Sequence, residues 1–337
     1  MTSEHILSAS TLNKLISSGR KKAGAAKRHL VQKFTRLNEK EIDICGAMPS
    51  NDSKYSWGDW YFCQSLKRSF ERLGFKANVV PNDRWHLPSS AKYVLVLRGL
   101  KEYIPYRVKG RVFMMWNISH PDDVAISEYD LYDYIFFASQ KMCEELSSLI
   151  VPPSKPLLQC FDPDDMTYSD QISMPSQLLF VGNSRGVYRK ILKDLLPTEY
   201  DLTVYGQEWE KYPVCEYVKA PLLDHSLLGQ AYHDAEIVLN DHWDDMKEMD
   251  LISNRIFDVL SVGGFVISDR LPVIERLFDG CVPMYDTPGE LKTIIEYYLS
   301  HEDERKEMSK KGQMIVRREY TFDERAKVIA AAISELS

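Results

Sequence analysis

The sequence predicts an α/β protein made of two doubly wound domains in tandem, and three observations support this. From residue 41 onward, short apolar runs alternate with amphipathic stretches, which is typical of βα units in a parallel sheet. The alternation is interrupted over residues 162–177 by a stretch rich in Asp, Ser and Pro without periodicity, which we interpret as an interdomain connection. The length of 337 residues fits about two compact domains.

The N-terminal domain is expected over residues 41–165, after a basic N-terminal extension of residues 1–40. Six short apolar runs predict its strands, at residues 42–48, 76–80, 93–97, 111–116, 134–138 and 156–160. Residues 57–73 predict a helix, because apolar side chains recur there at mainly helical spacing and Gly74 follows as a C-cap.

The C-terminal domain is expected over residues 176–320, followed by a terminal helix over residues 321–337. Its strands are predicted at residues 178–181, 201–205, 216–218, 235–239, 264–268 and 281–285. Its clearest helices are predicted at residues 187–196, 227–233, 253–262, 273–278 and 288–300. Two such domains in tandem form a cleft between the carboxyl ends of their sheets, where ligands normally bind.

Composition excludes several classes of protein. With 44% hydrophobic, 27% charged and 11% aromatic residues, the chain is neither largely disordered nor collagen-like nor a coiled coil. Its apolar runs fall far short of the roughly 20 residues that cross a bilayer, and the N-terminus lacks an apolar signal region. We therefore expect a cytoplasmic location. The six cysteines form no CxxC pair, which predicts buried thiols rather than disulfides or a zinc site.

The first 40 residues differ in charge from the remainder. They carry nine Lys or Arg against Glu4 and Glu39, a net charge of +7, and since the chain carries −7 the other 297 residues carry −14. So acidic a body is a poor match for nucleic-acid phosphates, and we expect no nucleic-acid partner. The basic head interleaves apolar residues with its charges, which suits peripheral contact with an anionic membrane at the cytoplasmic face. The alternative is a solvated terminal extension.

The first candidate for binding chemistry is the strand, turn and helix of residues 180–190, FVGNSRGVYRK. A turn containing Gly182 and Asn183 allows backbone N–H groups and a helix N-terminus to face a phosphate. Arg185, Arg189 and Lys190 add positive charge there. The segment is neither GxGxxG nor a Walker A sequence, which disfavours nicotinamide-dependent dehydrogenases and P-loop enzymes. The alternative is an ordinary βα turn with basic residues on its surface.

The second candidate is the segment of residues 249–269, MDLISNRIFDVLSVGGFVISD. Ser253 is expected to N-cap a short helix that begins near Asn254 and ends before the Gly263-Gly264 pair. The free amides of such a helix suit a diphosphate, and Asp258, one turn in and away from the apolar face, suits ribose hydroxyls. The alternative is a surface ion pair between Arg255 and Asp258.

This C-terminal half resembles the donor-binding half of GT-B glycosyltransferases, specifically the glycosyl transferases group 1 superfamily and its spore-maturation-protein-like branch. The resemblance extends over residues 178–325, whereas the N-terminal half matches only as a pattern of strands and helices. The residues that carry it are Asn240 after a strand, segments 253–258 and 263–269, Leu277 and Phe278, segment 299–305, and Gly312 followed by 318–322.

The resemblance implies a GT-B fold of two Rossmann-like domains that face a central cleft. It also implies transfer of a sugar from a nucleoside-diphosphate sugar, held by the C-terminal domain, to a hydroxyl of a saccharide or lipid-linked acceptor on the N-terminal domain. Retention of anomeric configuration follows from the same resemblance. Membrane contact by the basic head, in turn, favours a lipid-linked or envelope acceptor and therefore a role in cell-surface polysaccharide or glycan assembly. Such enzymes generally need no bound metal, because basic residues and a helix N-terminus stabilise the leaving diphosphate.

The resemblance also assigns site residues. In the family, two glutamates with seven residues between them hold the donor, the first at the sugar and the second at the ribose. Asp250 and Asp258 have the same spacing here, each one methylene shorter. The family's basic residues at the diphosphate correspond to one or more of Arg185, Arg189 and Lys190. The donor contacts expected in the second segment are Asp250, Ser253, Asn254, Arg255 and Asp258.

The N-terminal domain supplies a histidine near the donor sugar in many such enzymes, and His120 is the candidate here because it follows a predicted strand. The alternative is a structural histidine in a Pro-containing turn. Trp57, Gly58 and Asp59 are expected either to line the acceptor side or simply to begin a helix. The acidic loops at residues 162–165 and 241–245 are more typical of solvated acidic loops than of a divalent cation site.

Two other functions remain open from the sequence. A nucleotide-sugar epimerase or hydrolase on the same fold consumes the donor without an acceptor. A catalytically inactive nucleotide-binding module binds nucleotide without turnover, and the shortened Asp250 and Asp258 pair is the sequence feature that favours it.

Overall fold

The structure is a computed structural model and describes residues 36–105 and 107–336. The basic extension was predicted over residues 1–40, and residues 1–35 of it lie outside the described residues. The described part of the chain forms two parallel six-stranded sheets with flanking helices. The predicted α/β fold of two doubly wound domains is thereby confirmed.

The first sheet has the order β2-β1-β3-β4-β5-β6, and each neighbouring pair is parallel. Its strands are β1 (Asn38–Gly46), β2 (Lys76–Pro81), β3 (Ala91–Arg98), β4 (Val112–Asn117), β5 (Tyr134–Phe137) and β6 (Ser154–Pro156). The helices of this half are α1 (Gly58–Arg72), α2 (Ile126–Tyr129) and α3 (Gln140–Leu146). The inner strands are continuous apolar runs because both faces of a parallel sheet are covered.

The second sheet has the order β12-β11-β10-β7-β8-β9. Its strands are β7 (Ser176–Val181), β8 (Leu202–Tyr205), β9 (Val218–Ala220), β10 (Ala235–Asn240), β11 (Val266–Asp269) and β12 (Met284–Tyr285). The helices are α4 (Lys190–Leu195), α5 (Leu228–Asp234), α6 (Asp244–Glu248), α7 (Asn254–Ser261), α8 (Pro272–Phe278) and α9 (Pro288–Ser300). β7 and β10 lie side by side at the centre, so the ends of both strands face the cleft.

The last two helices, α10 (Glu302–Glu319) and α11 (Phe322–Leu336), connect the two halves. Helix α10 packs on α7, whereas α11 returns to the first half and packs on α1. At the crossing, Phe161 N–H donates to Tyr320 O over 3.0 Å and Phe322 N–H donates to Phe161 O over 3.2 Å. The chain therefore passes between the halves at two adjacent places.

Most predicted elements agree with the structure, but two strands are shifted. The strand predicted at residues 156–160 is Ser154–Pro156, and the one predicted at residues 216–218 is Val218–Ala220, because Pro213–Tyr217 form a 3₁₀ turn. Strand β6 ends at Pro156, because Trp116 and Arg325 donate to the carbonyls of Leu157 and Leu158, which are then unavailable for a strand ladder. Helix α4 begins at Lys190 rather than at residue 187. The prediction that all six thiols are buried was wrong for Cys215, which is exposed. No helix of the described residues is apolar over a bilayer-spanning length.

Candidate active site

Three adjacent cavities lie in the cleft between the two halves. The α7 cavity, of about 140 Å³, is lined by Asn254 and Asp258 together with Phe62 and Phe322. The β7 cavity, of about 240 Å³, is lined by the turn that follows β7 and by residues 55–58 of the first half. The linker cavity, of about 440 Å³, is lined by segments 164–167 and 222–226. Because both halves line each cavity, the cleft is the candidate site.

The β7 cavity depends on a close approach of two glycines. A side chain on Gly206 would place its Cβ only 2.1 Å from Gly182 O, and the φ of Gly206 is 147°. Gly182 N–H donates to Tyr205 O over 2.8 Å, which joins the ends of β7 and β8. Sequence reasoning selected Gly182 and missed Gly206, whose signal was a glycine directly after a predicted strand. Gly182 is half-buried and Gly206 is buried, and both line this cavity.

Two further residues predicted from the turn line the same cavity, namely Asn183 and Arg185. Asn183 Oδ1 accepts a hydrogen bond from Gln207 N–H over 2.9 Å, which fixes the turn. Arg185 has left-handed backbone, with φ of 55°. Across the cleft, burial raises the pKa of Asp59, and the positive charge of Arg185 partly opposes that shift. Arg185 therefore faces the first half and is placed to meet an anionic group in the cleft.

The other two basic candidates already have partners within the second half. Arg189 is buried, its Nε lies 3.2 Å from Asp241 Oδ2, and its guanidinium stacks over Trp243 at 4.9 Å from the ring centroid. Lys190 is exposed and pairs with Asp194, one turn along α4. Of the three predicted basic residues, Arg185 is thus the one that lines the β7 cavity.

Helix α7 presents its first turn to the α7 cavity. Ser253 is its N-cap, as predicted, but the Ser253 side chain makes no capping bond to any described residue. Asn254 Nδ2 donates to Asp258 Oδ2 over 2.8 Å. Asn254 Oδ1 is buried and finds no hydrogen-bond donor among the described residues. An unpaired buried acceptor is costly, so this atom marks a place where a ligand donor fits.

Asp258 has a raised pKa. Burial raises the pKa to about 8, against the donation from Asn254 and the charge of Arg255, while Asp165 and Asp162 add to the rise. A protonated carboxyl both donates and accepts a hydrogen bond. Asp258 is therefore suited to hold a neutral hydroxyl or diol in the α7 cavity.

Arg255 connects the N-terminal turn of α7 to the second sheet. Its Nη2 donates to Val181 O over 2.7 Å, its Nη1 donates to Asn240 Oδ1 over 2.8 Å, and its guanidinium lies over Phe180. Arg255 thus bonds to the ends of two strands. The alternative from the sequence, a surface ion pair between Arg255 and Asp258, is not what the structure shows.

Asp250 lies in the turn between α6 and α7, with left-handed backbone at φ of 53°.

His120 reaches the second half from the end of β4. It has left-handed backbone, with φ of 50°, just before a Pro-initiated turn. Its Nδ1 lies 3.5 Å from Asp245 Oδ2 and its ring lies 6.0 Å from that of Trp243. Sequence reasoning found His120 but missed Asp245 as its neighbour, because that residue was weighed only as part of an acidic loop. The arrangement places an imidazole at the edge of the cleft.

The acidic loop at residues 162–165 is held by cations of α1. Arg68 Nη2 lies 2.6 Å from Asp162 and 2.7 Å from Asp165, and Arg72 lies 3.0 Å from Asp164. This loop is thereby an anchor of the interdomain connection rather than a solvated acidic stretch.

Comparisons with known proteins identify a matching domain family and solved structures of similar fold. Residues 185–331 match the model of a family described as glycosyl transferase-like. Sucrose-phosphate synthase from Thermosynechococcus elongatus superimposes with a TM-score of 0.63 at 10% identity, over 88% of this chain and 99% of that chain. AviGT4, a glycosyltransferase involved in avilamycin A biosynthesis, gives 0.58 at 12% identity, over 88% and 97%.

A DNA-modifying β-glucosyltransferase is similar over 87% of this chain and 99% of its own, with a TM-score of 0.59 at 10% identity. A search of curated protein sequences finds no match. At such low identity the structural likeness establishes the fold, which is GT-B, and the family match concerns the C-terminal half. The chain thus has the GT-B fold, and its C-terminal half carries a glycosyl transferase-like domain over residues 185–331.

Proposed function

We propose that this protein transfers a sugar from a nucleoside-diphosphate sugar to an acceptor hydroxyl. The observation that carries the proposal is the pair of Asn254 and Asp258 in the α7 cavity, with a buried acceptor atom that lacks a donor. Ribose hydroxyls have the chemistry to supply that donor and to bind a protonated Asp258. The similar β-glucosyltransferase was solved with uridine diphosphoglucose as its substrate, which supports this class of donor.

The diphosphate belongs in the adjacent β7 cavity. Gly182 and Asn183 offer a turn at a strand end, and Arg185 offers a cation in the same cavity. Arg255, in the first turn of α7, donates to Val181 O at that strand end, and the free amides of such a helix start suit a diphosphate. In the reaction, the bond from the anomeric carbon to the diphosphate oxygen breaks and the bond to the acceptor oxygen forms. The proton of the acceptor hydroxyl passes to the departing diphosphate oxygen, on which negative charge develops as its bond to the sugar breaks. We assign the stabilisation of that charge to Arg185 and the amides at the start of α7, so the proposal requires no bound metal.

The acceptor belongs on the first half. Trp57 and Gly58 line the β7 cavity from that side, and His120 reaches toward Asp245 from the same half. We further propose a saccharide or lipid-linked acceptor, retention of anomeric configuration and a role in cell-surface glycan assembly. Residues 1–40 would then contact an anionic membrane at its cytoplasmic face.

The first test is thermal unfolding of the full chain with UDP, GDP, ADP, CDP or TDP, with NAD as the control. A ligand at about 100 times its dissociation constant stabilises the folded state by about 2.7 kcal/mol, so one of these diphosphates should raise the melting temperature. The rise should persist in EDTA, because the proposed site contains no metal. The proposal would be contradicted if none of the five diphosphates raised the melting temperature. It would also be contradicted if NAD raised the melting temperature as much as they do.

The matching sugar nucleotides then separate the possible activities. Donor consumption that depends on added acceptor supports transfer. Consumption without any acceptor identifies a hydrolase or epimerase, and binding without consumption identifies an inactive module.

A further inference from the structure

Tyr61 and His225 stack on each other across the cleft. Tyr61 belongs to α1 in the first half, and His225 lies in the short 3₁₀ turn after β9 in the second half. Their ring centroids are 3.6 Å apart and their planes differ by 14°. Both side chains are half-buried, so each retains accessible ring surface.

Polar contacts fix the orientation of both rings. Tyr61 hydroxyl donates to Tyr55 O over 3.2 Å. His225 Nε2 lies 3.2 Å from Asp165 Oδ2, and Asp165 is itself held by Arg68. The stacked rings are therefore a positioned surface rather than a chance contact between mobile side chains.

This ring pair lies where the three cavities meet. Tyr61 and His225 each line the α7 cavity, the β7 cavity and the linker cavity. In the proposed function the α7 cavity receives the ribose and the β7 cavity receives the diphosphate. A nucleobase is bonded directly to its ribose, so the base of that donor must lie next to the ring pair. Leu222 and Leu223, which line two of these cavities, add apolar surface beside it.

We propose that Tyr61 and His225 form the stacking surface for the nucleobase of the donor. The inference rests on the proposed function and adds the residues that contact the base. Aromatic side chains stack on the π-face of any base, so this surface supplies affinity for a nucleotide without selecting one base. Because the two rings already cover each other's inner faces, the base stacks on the outer face of one ring and extends a stack that includes a residue from each half.

Calorimetric titration of the full chain tests this. The cleft variants are Tyr61→Ala and His225→Ala. Tyr297→Ala is the matched control, because Tyr297 stacks on His301 with ring centroids 3.9 Å apart and lines none of the three cavities. The probes are UDP, GDP, ADP, CDP and TDP, together with pyrophosphate and ribose 5-phosphate, which lack a base. Each cleft variant should bind the preferred nucleoside diphosphate about 10- to 100-fold more weakly. Tyr297→Ala should bind it like the wild type, and the probes without a base should bind all variants equally.

Two results would overturn the stacking surface. One is a wild type that binds a nucleoside diphosphate while both cleft variants bind it with unchanged affinity. The other is an equal loss of affinity for pyrophosphate, which would show that the rings serve domain closure alone. A wild type that binds none of the five diphosphates instead contradicts the proposed function itself. If Tyr61→Ala does not fold, His225→Ala carries the same comparison.

Discussion

At the scale of single residues, the candidate site is defined by side chains with unusual surroundings. Asp258 holds its proton because burial and two neighbouring aspartates disfavour its charged form. Asn254 donates to it and leaves its own carbonyl oxygen unpaired among the described residues. Both features lower the stability of the free protein, and proteins commonly retain such features at ligand sites.

The raised pKa of Asp258 predicts a pH dependence of stability. The folded protein keeps this proton up to about pH 8, whereas an ordinary aspartate loses it near pH 3.8. The contribution of Asp258 to stability is therefore full at low pH and is lost as the pH rises through about 8. Asp258→Asn keeps an acceptor for Asn254 and removes the titration. Its free energy of unfolding, relative to the wild type, should increase from about pH 5 to about pH 8.

Urea unfolding at several pH values measures this difference. Asp170→Asn, at an exposed position of the interdomain connection, is the control and should show no such trend. A difference between Asp258→Asn and the wild type that stays constant with pH would show that Asp258 ionises normally.

At the scale of elements, the strand ends of the second sheet are tied together by a few contacts. Arg255 connects the start of α7 to the ends of β7 and β10, and the paired glycines connect the ends of β7 and β8. These contacts connect the start of α7 to the strand end that precedes the turn at Gly182. A change at any of them should alter the geometry of the site.

Two glycine variants separate backbone strain from a steric clash. Gly186 has φ of 76° and open space around its Cβ position, so Gly186→Ala should cost about 1 to 2 kcal/mol from its left-handed backbone. Gly206→Ala adds a clash with the backbone of Gly182 and should cost about 3 kcal/mol or more. It should also abolish the thermal shift with the nucleoside diphosphate. Equal losses in the free energy of unfolding would show that the close approach is unimportant.

At the scale of the whole molecule, helix α11 joins the end of the chain to the first half. Phe322 is buried and packs edge-on against Phe62, with ring centroids 4.6 Å apart. Arg325 donates to the carbonyls of Leu158 and Gln159, just before the interdomain connection. The two halves thus share a core, which keeps the cleft residues in register.

Phe322→Ala should therefore destabilise the protein by about 3 to 5 kcal/mol, because it leaves a cavity at the contact between the halves. Phe322→Leu retains most of the buried volume and should cost much less. Denaturant unfolding measures both values, and a near-wild-type Phe322→Ala would show that α11 packs loosely on α1.

Much of the architecture can be predicted from the sequence because it depends on local patterns. The apolar runs predict the strands, the Gly74 and Gly263-Gly264 breaks predict helix ends, and the N-cap at Ser253 predicts the start of α7. The spacing of Asp258 within that helix places it at the cleft. These features follow from neighbours a few residues away, and such short-range preferences survive in the folded chain.

Tertiary structure alone decided which predicted side chains share a cavity. The sequence offered Arg185, Arg189 and Lys190 as equals. The fold of the second half paired Arg189 with Asp241, whereas Lys190 pairs locally with Asp194 within α4. His120 meets Asp245, and Tyr61 meets His225, over more than 100 residues of chain. Such pairs depend on how two domains close on each other, and no local pattern encodes the distance between positions so far apart in the sequence.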